Sequence, residues 1–136
     1  MKKRIIVLIF AVYLFAVLWI TLIDREPGRQ RAMLTPFWEL ASVLKGRERG
    51  FYIRQIAGNL AMLMPMGFMM PIIVKKDIRI VTATAFMFSL AIEITQYVTG
   101  RGLMEFDDLF HNTIGAVMGY ALYKYIVEKG FGNEEV

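Results

Sequence analysis

Two acidic residues, Glu93 and Asp108, lie within or directly beside strongly apolar stretches of the sequence. A carboxyl group at such a position is a candidate general acid or base, and intramembrane ionisable residues are functional-site candidates by default. Arg101 lies between them in sequence, with a guanidinium group suited to holding a phosphate. The predicted ligand-binding set is Asn59, Glu93, Gln96, Arg101, Asp107, Asp108 and Asn112, and the catalytic candidates are Glu93 and Asp108.

The single histidine, His111, follows Asp107 by four residues, which is about one helical turn. Such a pair could contribute to a divalent metal site or act as a general base. One histidine among carboxylates has no diagnostic metal-ligand spacing, and the chain has no cysteine. We therefore predict no metal and no cofactor, and Asp107 and His111 remain the only metal candidates.

The elements that must position these residues are apolar helices. Hydrophobic residues make up 57% of the 136-residue chain, above the roughly 45–50% of soluble domains, and the mean hydropathy is +0.48. Four nineteen-residue stretches carry almost no charge, and each would span about 28 Å as a helix. The prediction is an all-α integral membrane protein, a four-transmembrane-helix bundle in a single domain over 1–136. The spans are 5–23, 56–74, 80–98 and 109–127.

Connectivity predicts where the polar residues meet. Short loops force neighbouring spans to run antiparallel, so the start of the second span, the end of the third and the start of the fourth share one side of the membrane. That side carries the whole candidate set. Lys and Arg are dense in residues 2–4 and 75–79, so the positive-inside rule places both termini in the cytoplasm and the polar cluster outside. The basic residues flank apolar spans, which favours lipid headgroups and excludes nucleic acid as partner.

The long loop, residues 24–55, contains a predicted amphipathic helix. Thr35 is its expected N-cap and Pro36 its first residue, and the apolar positions Phe37, Leu40, Ala41 and Leu44 follow at helical spacing. We expect this helix to lie flat in the membrane interface, either as a plug of the bundle or as part of the ligand site.

Packing of the third and fourth spans follows from their small and polar faces. The simplest arrangement places Gly115 and Gly119 against the third span, lets Gln96 and Asn112 hydrogen-bond across, and leaves Arg101 to reach back to Glu93. The same two glycines could instead mediate a homo-oligomer.

Three segments resemble the VanZ-like family. They are Asn59-x5-Pro65-x-Gly67; Glu93-x2-Gln96 with Gly100-Arg101; and Asp107-Asp108-x3-Asn112-Thr113-x-Gly115-x3-Gly119-Tyr120, and Thr35-Pro36-Phe37 resembles a further family element. The resemblance implies a small multi-pass protein of the bacterial cytoplasmic membrane. The family is named for a member that lowers susceptibility to the glycopeptide teicoplanin without the altered peptidoglycan precursors of vancomycin resistance. His111 is not part of the family pattern.

Three functions are consistent with this sequence. The first is a non-enzymatic membrane factor whose outward polar pocket binds lipid or glycopeptide antibiotic. The second is a membrane-embedded enzyme acting on a lipid headgroup or a lipid-linked cell-wall precursor. The third is a non-catalytic scaffold or partner-binding bundle.

Overall fold

The computed structural model describes residues 2–46, 48–74 and 77–129. Within them there are five α-helices, with one short strand between the first and second helices and another between the fourth and fifth. π-helical turns extend the first helix over Trp19–Ile23 and the last over Lys124–Lys129. The elements are α1 (Lys2–Leu18), β1 (Arg31–Met33), α2 (Trp38–Leu44), α3 (Arg49–Ile73), α4 (Ile78–Thr99), β2 (Leu103–Glu105) and α5 (Phe106–Tyr123).

Three of the described helices are long and apolar enough to cross a membrane: Lys3–Ile23, which includes the π-helical turn, α3 and α4. They correspond to the first three predicted spans. The predicted fourth span, 109–127, coincides largely with α5 and its extension, but α5 is not among the three. Its first two turns contain Asp107, Asp108, His111 and Asn112, which lower its hydropathy. A fourth crossing therefore stays a prediction.

α3 begins at Arg49, seven residues before the predicted start of the second span at Ile56. Hydropathy locates the apolar part of a helix, and the helix itself continues into the polar segment. The extra turns pack on α2, where the rings of Trp38 and Tyr52 meet edge to face at 5.2 Å. The long connection is consequently shorter than expected, 24–48.

Two three-residue strands depart from the all-α prediction. β1 and β2 pair in parallel, from Arg31 opposite Leu103 to Met33 opposite Glu105. Just before them, the amide of Gly28 donates to the carbonyl of Gly100 at 2.8 Å. The ribbon fixes the long connection against the α4–α5 turn, which is where the polar residues gather. Strands this short leave no periodicity to read in a sequence.

The core is formed mainly by α3 packed on α5. A Cβ placed on Gly115 would lie 2.0 Å from the Leu60 carbonyl oxygen, and one on Gly119 would lie 1.9 Å from the Met64 carbonyl oxygen. The glycine face of α5 is therefore covered by α3, and the predicted contact of this face with the third span, α4, is wrong. α3 supplies its own small residue, Gly67, opposite Ala116, so the two backbones approach closely.

Candidate functional site

Polar side chains converge at one end of the bundle, where α3 begins, α4 ends and α5 begins. This convergence is the one that the order of the helices predicts, and β2 and α2 bring the acids Glu105 and Glu39 to it. Nearly all of these side chains are buried: Glu39, Glu93, Gln96, Glu105, Asp107, His111 and Asn112 are each at most 8% exposed.

Asp107 caps α2 from a different helix. Its two carboxylate oxygens accept hydrogen bonds from the amides of Phe37 and Glu39, the second at 2.9 Å. These amides are at the amino terminus of α2, where the N–H groups have no partner within the helix. The predicted cap is therefore wrong: α2 begins at Trp38, its N-cap is Phe37 in a left-handed conformation (φ 58°), and Thr35 is not the cap. A carboxylate supplied by α5 accepts the hydrogen bonds that the sequence predicts for a local threonine.

The α2 helix turns its apolar side outward. Phe37, Leu40 and Leu44 are 45%, 47% and 74% exposed, whereas Glu39 on the opposite side is fully buried. This inside-out pattern fits a helix whose outer face contacts lipid, and the flat interfacial position stays a prediction. The ring of Phe37 also packs edge to face on Phe110, at 5.1 Å.

Asp108 is bound by α3. It accepts a hydrogen bond from the Asn59 side-chain amide, so these two predicted site residues are in direct contact. One turn earlier on α3, the Gln55 amide donates to the Glu105 carboxylate at 3.1 Å. Two amides of α3 thus hold two acids at the start of α5.

Glu93 does not pair with Arg101. The Glu93 carboxylate accepts the backbone N–H of Glu105 at 2.8 Å, whereas the Arg101 guanidinium donates to the carbonyls of Leu22 and Ile23 at 3.2 and 3.1 Å. Those carbonyls end the first helix, where the helix itself supplies no donors, and the guanidinium satisfies them. The cation that interacts with Glu93 and with Asp108 is Arg25, in the long connection.

The predicted hydrogen bond between Gln96 and Asn112 is wrong. Gln96 donates to the Thr21 carbonyl at 3.0 Å, and Asn112 donates to the Ser89 hydroxyl at 2.9 Å. Both amides join helices, as predicted, but they bind different neighbours. Gln96 ties α4 to the π-helical turn after α1, and Asn112 ties α5 to α4.

Glu39 and His111 form the closest acid–histidine contact of the cluster. The Oε2 atom of Glu39 lies 3.3 Å from Nδ1 of His111, and Glu39 is completely buried. One proton shared between these atoms would satisfy both. The Nδ1 atom is buried, so the 11% of the His111 side chain that is exposed belongs to its other atoms.

Two carboxyl groups outside the predicted spans titrate near neutral pH. Burial raises the pKa of Glu39 to about 8, and the neighbouring carboxylates of Asp108, Glu105 and Asp107 add to the effect. Burial also raises the pKa of Glu105 to about 7, with Asp108 and Asp107 raising it further and the hydrogen bond from Gln55 opposing the rise. Both groups can exchange protons at physiological pH.

Some buried oxygens of the cluster have no hydrogen-bond partner within the described residues. They include Oε1 of Glu39, Oε1 of Gln96, Oε1 of Glu105 and Oδ1 of Asn112, all on side chains at least nine-tenths buried. Uncompensated burial of a polar group costs roughly 1–3 kcal/mol, so these atoms are places for a proton or a ligand donor. The described residues contain no group of three or more acidic, histidine or cysteine side chains that could hold a metal ion.

Sequence reasoning missed Glu39, Gln55 and Arg25. Glu39 had a readable signal, because it lies opposite the apolar stripe of the predicted loop helix. If that stripe faces lipid, the acid must face protein. Arg25 and Gln55 carried no such signal, because their partners are distant in sequence.

A family model described as VanZ/LLP1 matches residues 10–127. No curated protein and no solved structure matches the chain.

Proposed function

This chain belongs to the VanZ/LLP1 family of membrane proteins, and we propose from that premise that its acidic cluster binds the polar head of an amphiphile at the outer face of the bacterial cytoplasmic membrane. The amphiphile is a membrane lipid or a teicoplanin-type glycopeptide. Binding lowers susceptibility to such antibiotics by reducing their access to the cell-wall target. The protein acts without a cofactor.

The observation that supports this proposal best is the charge imbalance of the cluster. Five carboxyl groups gather from four elements, and Arg25 is the basic group that interacts with two of them. A fully buried oxygen, Oε1 of Glu39, has no hydrogen-bond partner in the described structure. Such a site favours a ligand that brings positive charge or hydrogen-bond donors, such as an amine. The five acids are Glu39, Glu93, Glu105, Asp107 and Asp108.

A ligand reaches Glu39 only if α2 moves, because the side chain is fully buried. The seven-residue helix is flanked by left-handed residues, Phe37 before it and Gly46 and Glu48 after it. It is held from α5 by the cap from Asp107 and the contact with His111. In the proposed function, the ligand's donors replace these contacts when α2 opens.

The orientation in this proposal has both termini in the cytoplasm. The chain has no cysteine, so single cysteines can report sidedness in intact cells. We expect Glu26→Cys to react with an impermeant thiol reagent and Lys3→Cys to react only after the cells are opened. Both positions are exposed. The opposite labelling pattern would reverse the orientation and place the cluster inside.

The main experiment measures teicoplanin and vancomycin susceptibility in a Gram-positive host at matched membrane levels of each variant. We expect wild type to protect against teicoplanin, and Glu39→Gln and Asp108→Asn to lose most of that protection, because each replaces a carboxyl group that can ionise opposite a cationic ligand with a neutral amide of similar shape. Glu26→Gln is the matched control, since it removes an exposed carboxylate from the same connection. Absence of protection by wild type, or equal protection by all variants, would refute the proposal.

A binding measurement separates the two ligands. Purified protein in detergent is titrated with teicoplanin and, separately, with phosphatidylethanolamine, whose headgroup carries an amine. Binding of teicoplanin that Glu39→Gln abolishes identifies the antibiotic as ligand. Binding of the lipid alone, with the same sensitivity, identifies the headgroup.

A second function, catalysis on a lipid headgroup or a lipid-linked cell-wall precursor, is favoured by the Glu39–His111 contact. An acid paired with an imidazole at 3.3 Å, with a pKa of about 8 for the acid, is suited to general acid–base chemistry. The catalytic candidates predicted from the sequence, Glu93 and Asp108, accept hydrogen bonds from Glu105 and Asn59, and the Arg101 guanidinium donates to backbone carbonyls. Glu39 and His111 are therefore the better catalytic candidates.

Turnover distinguishes this second function from binding. Purified protein is incubated with labelled phospholipids and with undecaprenyl-linked precursors, with and without divalent metals. Product formation that His111→Gln abolishes would establish an enzyme. Unchanged substrates would leave binding as the function.

The helix face that could mediate a homo-oligomer in a scaffold function is already in contact with another helix of the same chain. Gly115 and Gly119 are covered by α3 of the same chain, so these glycines cannot join two copies without separation of α3 from α5. A homo-oligomer would need another surface.

A further inference from the structure

A long apolar groove runs along the outside of α4, away from the acidic cluster. It has a volume of about 580 Å³, within the roughly 300–1,000 Å³ of small-molecule sites, and it is open along one side. Ile78, Ala83, Phe86 and Met87 of α4 line it together with Thr113 of α5. A smaller apolar cavity continues from Phe86 and Thr113 towards the start of α5.

The groove is charged at one end only. Arg79 belongs to the lining and lies in the first turn of α4, whereas the rest of the lining is uncharged. Within the described residues, the Arg79 guanidinium has no hydrogen-bond or ion-pair partner; its backbone amide is the group that binds Asp77. An unpaired cation at the end of an apolar channel matches an anion attached to a hydrocarbon chain.

We infer that this groove binds an anionic phospholipid, with one acyl chain along α4 and the phosphate on Arg79. α4 is one of the helices able to span the membrane, so the groove opens onto lipid. Arg79 lies at the α3–α4 turn, at headgroup level, where a basic side chain attracts anionic lipids. The acyl chain contributes affinity through burial against Phe86 and Met87, and Arg79 contributes the selectivity for negative charge.

A second groove in the same molecule gives an internal contrast. On α1 and its π-helical turn, Val12, Phe15, Ala16, Trp19 and Ile20 line a cavity of about 430 Å³ that contains no charged residue. The same reasoning assigns ordinary, headgroup-independent lipid contact to that surface. The difference between the two grooves is the cation.

Lipid selectivity tests the inference. Detergent-solubilised protein is titrated with phosphatidylglycerol or phosphatidylcholine carrying identical acyl chains, and bound lipid is counted by native mass spectrometry. We expect wild type to prefer phosphatidylglycerol by roughly fivefold, the factor that corresponds to about 1 kcal/mol per basic residue near the surface. Arg79→Gln should remove the preference.

Two matched controls make the result decisive. Arg4→Gln removes an exposed arginine from the amino terminus of α1, outside the groove, and should keep the preference. Ala83→Phe fills the groove and should weaken binding of both lipids, whereas Ala91→Phe, at an exposed alanine outside the groove on the same helix, should not. Equal retention of both lipids by wild type, an equal loss from Arg4→Gln and Arg79→Gln, or unchanged binding by Ala83→Phe would overturn the inference.

Discussion

The helix α5 takes part in two regions that are stabilised in different ways. Its first half, which contains Asp107, Asp108 and His111, is joined to α2 and α3 by hydrogen bonds and by the contact of His111 with Glu39, whose pKa is raised to about 8. Its second half, which contains Gly115 and Gly119, touches the backbone of α3 directly. Shape complementarity stabilises the glycine seam, which is the contact of Gly115 and Gly119 with α3. Protons and charges stabilise the polar end, which is the first half of α5 with its partners in α2 and α3. Of these two regions, the polar end contains the titratable acids described above and the oxygens open to a ligand donor.

The largest loss of stability is expected from a substitution that disrupts the glycine seam. In Gly119→Leu the first side-chain carbon alone would lie 1.9 Å from the Met64 carbonyl oxygen, and the opposing atom is backbone that cannot rotate away. Overpacking typically costs about 1–3 kcal/mol, and we expect the upper end or more here. Thermal unfolding in detergent should show the loss, to the same extent at pH 5 and pH 8.

The matched control for the seam is Gly58→Leu. Gly58 lies in α3, the helix that packs against Gly119, but a Cβ on Gly58 would meet no atom within 4 Å. We expect nearly unchanged thermal stability for this variant. If Gly119→Leu were as stable as Gly58→Leu, the close contact of α3 with α5 would be wrong.

The next largest effect is expected from a substitution that weakens the attachment of α2 to the polar end. Asp107→Ala leaves the amides of Phe37 and Glu39 without their acceptor, and loss of a buried partner costs roughly 1–3 kcal/mol. Hydrogen exchange should accelerate in α2 and remain slow along the α3–α5 seam. Asp107→Asn, which keeps one acceptor oxygen, should show a smaller acceleration. Uniform acceleration in both regions would mean that they do not behave independently.

These two regions differ in how far the sequence predicts them. Hydropathy and connectivity were enough to predict helices and to bring Asn59, Asp108 and Asn112 to one end, because both depend only on the order of apolar segments. Spacing also identified Gly115 and Gly119 as packing residues. It could not identify α3 as their neighbour, since a small face fits any close helix.

Hydrogen-bond partners were the least predictable feature. An amide such as Gln96 can reach many carbonyls, and the choice of Thr21 depends on how the π-helical turn lies against α4. The cap of α2 comes from Asp107, about seventy positions away in sequence, and local rules for Thr35 and Pro36 cannot include it. The way in which distant segments meet in the folded structure decides such contacts, and local rules applied to one sequence cannot predict it.

The pH dependence of stability tests whether protons stabilise the polar end. The folded state raises the pKa of Glu39 from 4.5 to about 8, so folded protein keeps a proton that the unfolded chain releases. The contribution of this group to stability is therefore complete below about pH 4.5 and is lost as the pH rises towards 8. We expect the melting temperature of wild type to fall over this range and that of Glu39→Gln to fall less.

The control for this titration is Glu26→Gln, which should keep the wild-type slope because Glu26 is exposed. Glu105, with a pKa of about 7, should contribute in the same direction, so Glu39→Gln reduces the slope without removing it. A slope identical in wild type and Glu39→Gln would show that Glu39 is ionised in the folded protein.

The smallest expected effect lies at the boundary between the two regions, where Asn112 donates to the Ser89 hydroxyl at 2.9 Å. Ser89→Ala removes the acceptor, and side-chain hydrogen bonds between membrane helices average about 0.6 kcal/mol. Asn112 is then left without its single hydrogen-bond partner in the described structure while it stays buried. A loss of stability well above that average would therefore assign this contact to the polar end. The loss of stability is measured by unfolding in detergent, and Thr84→Ala, at an exposed position of α4, is the control. A loss of stability near 0.6 kcal/mol or below would assign the contact to the seam, where shape is enough to hold α5 in place.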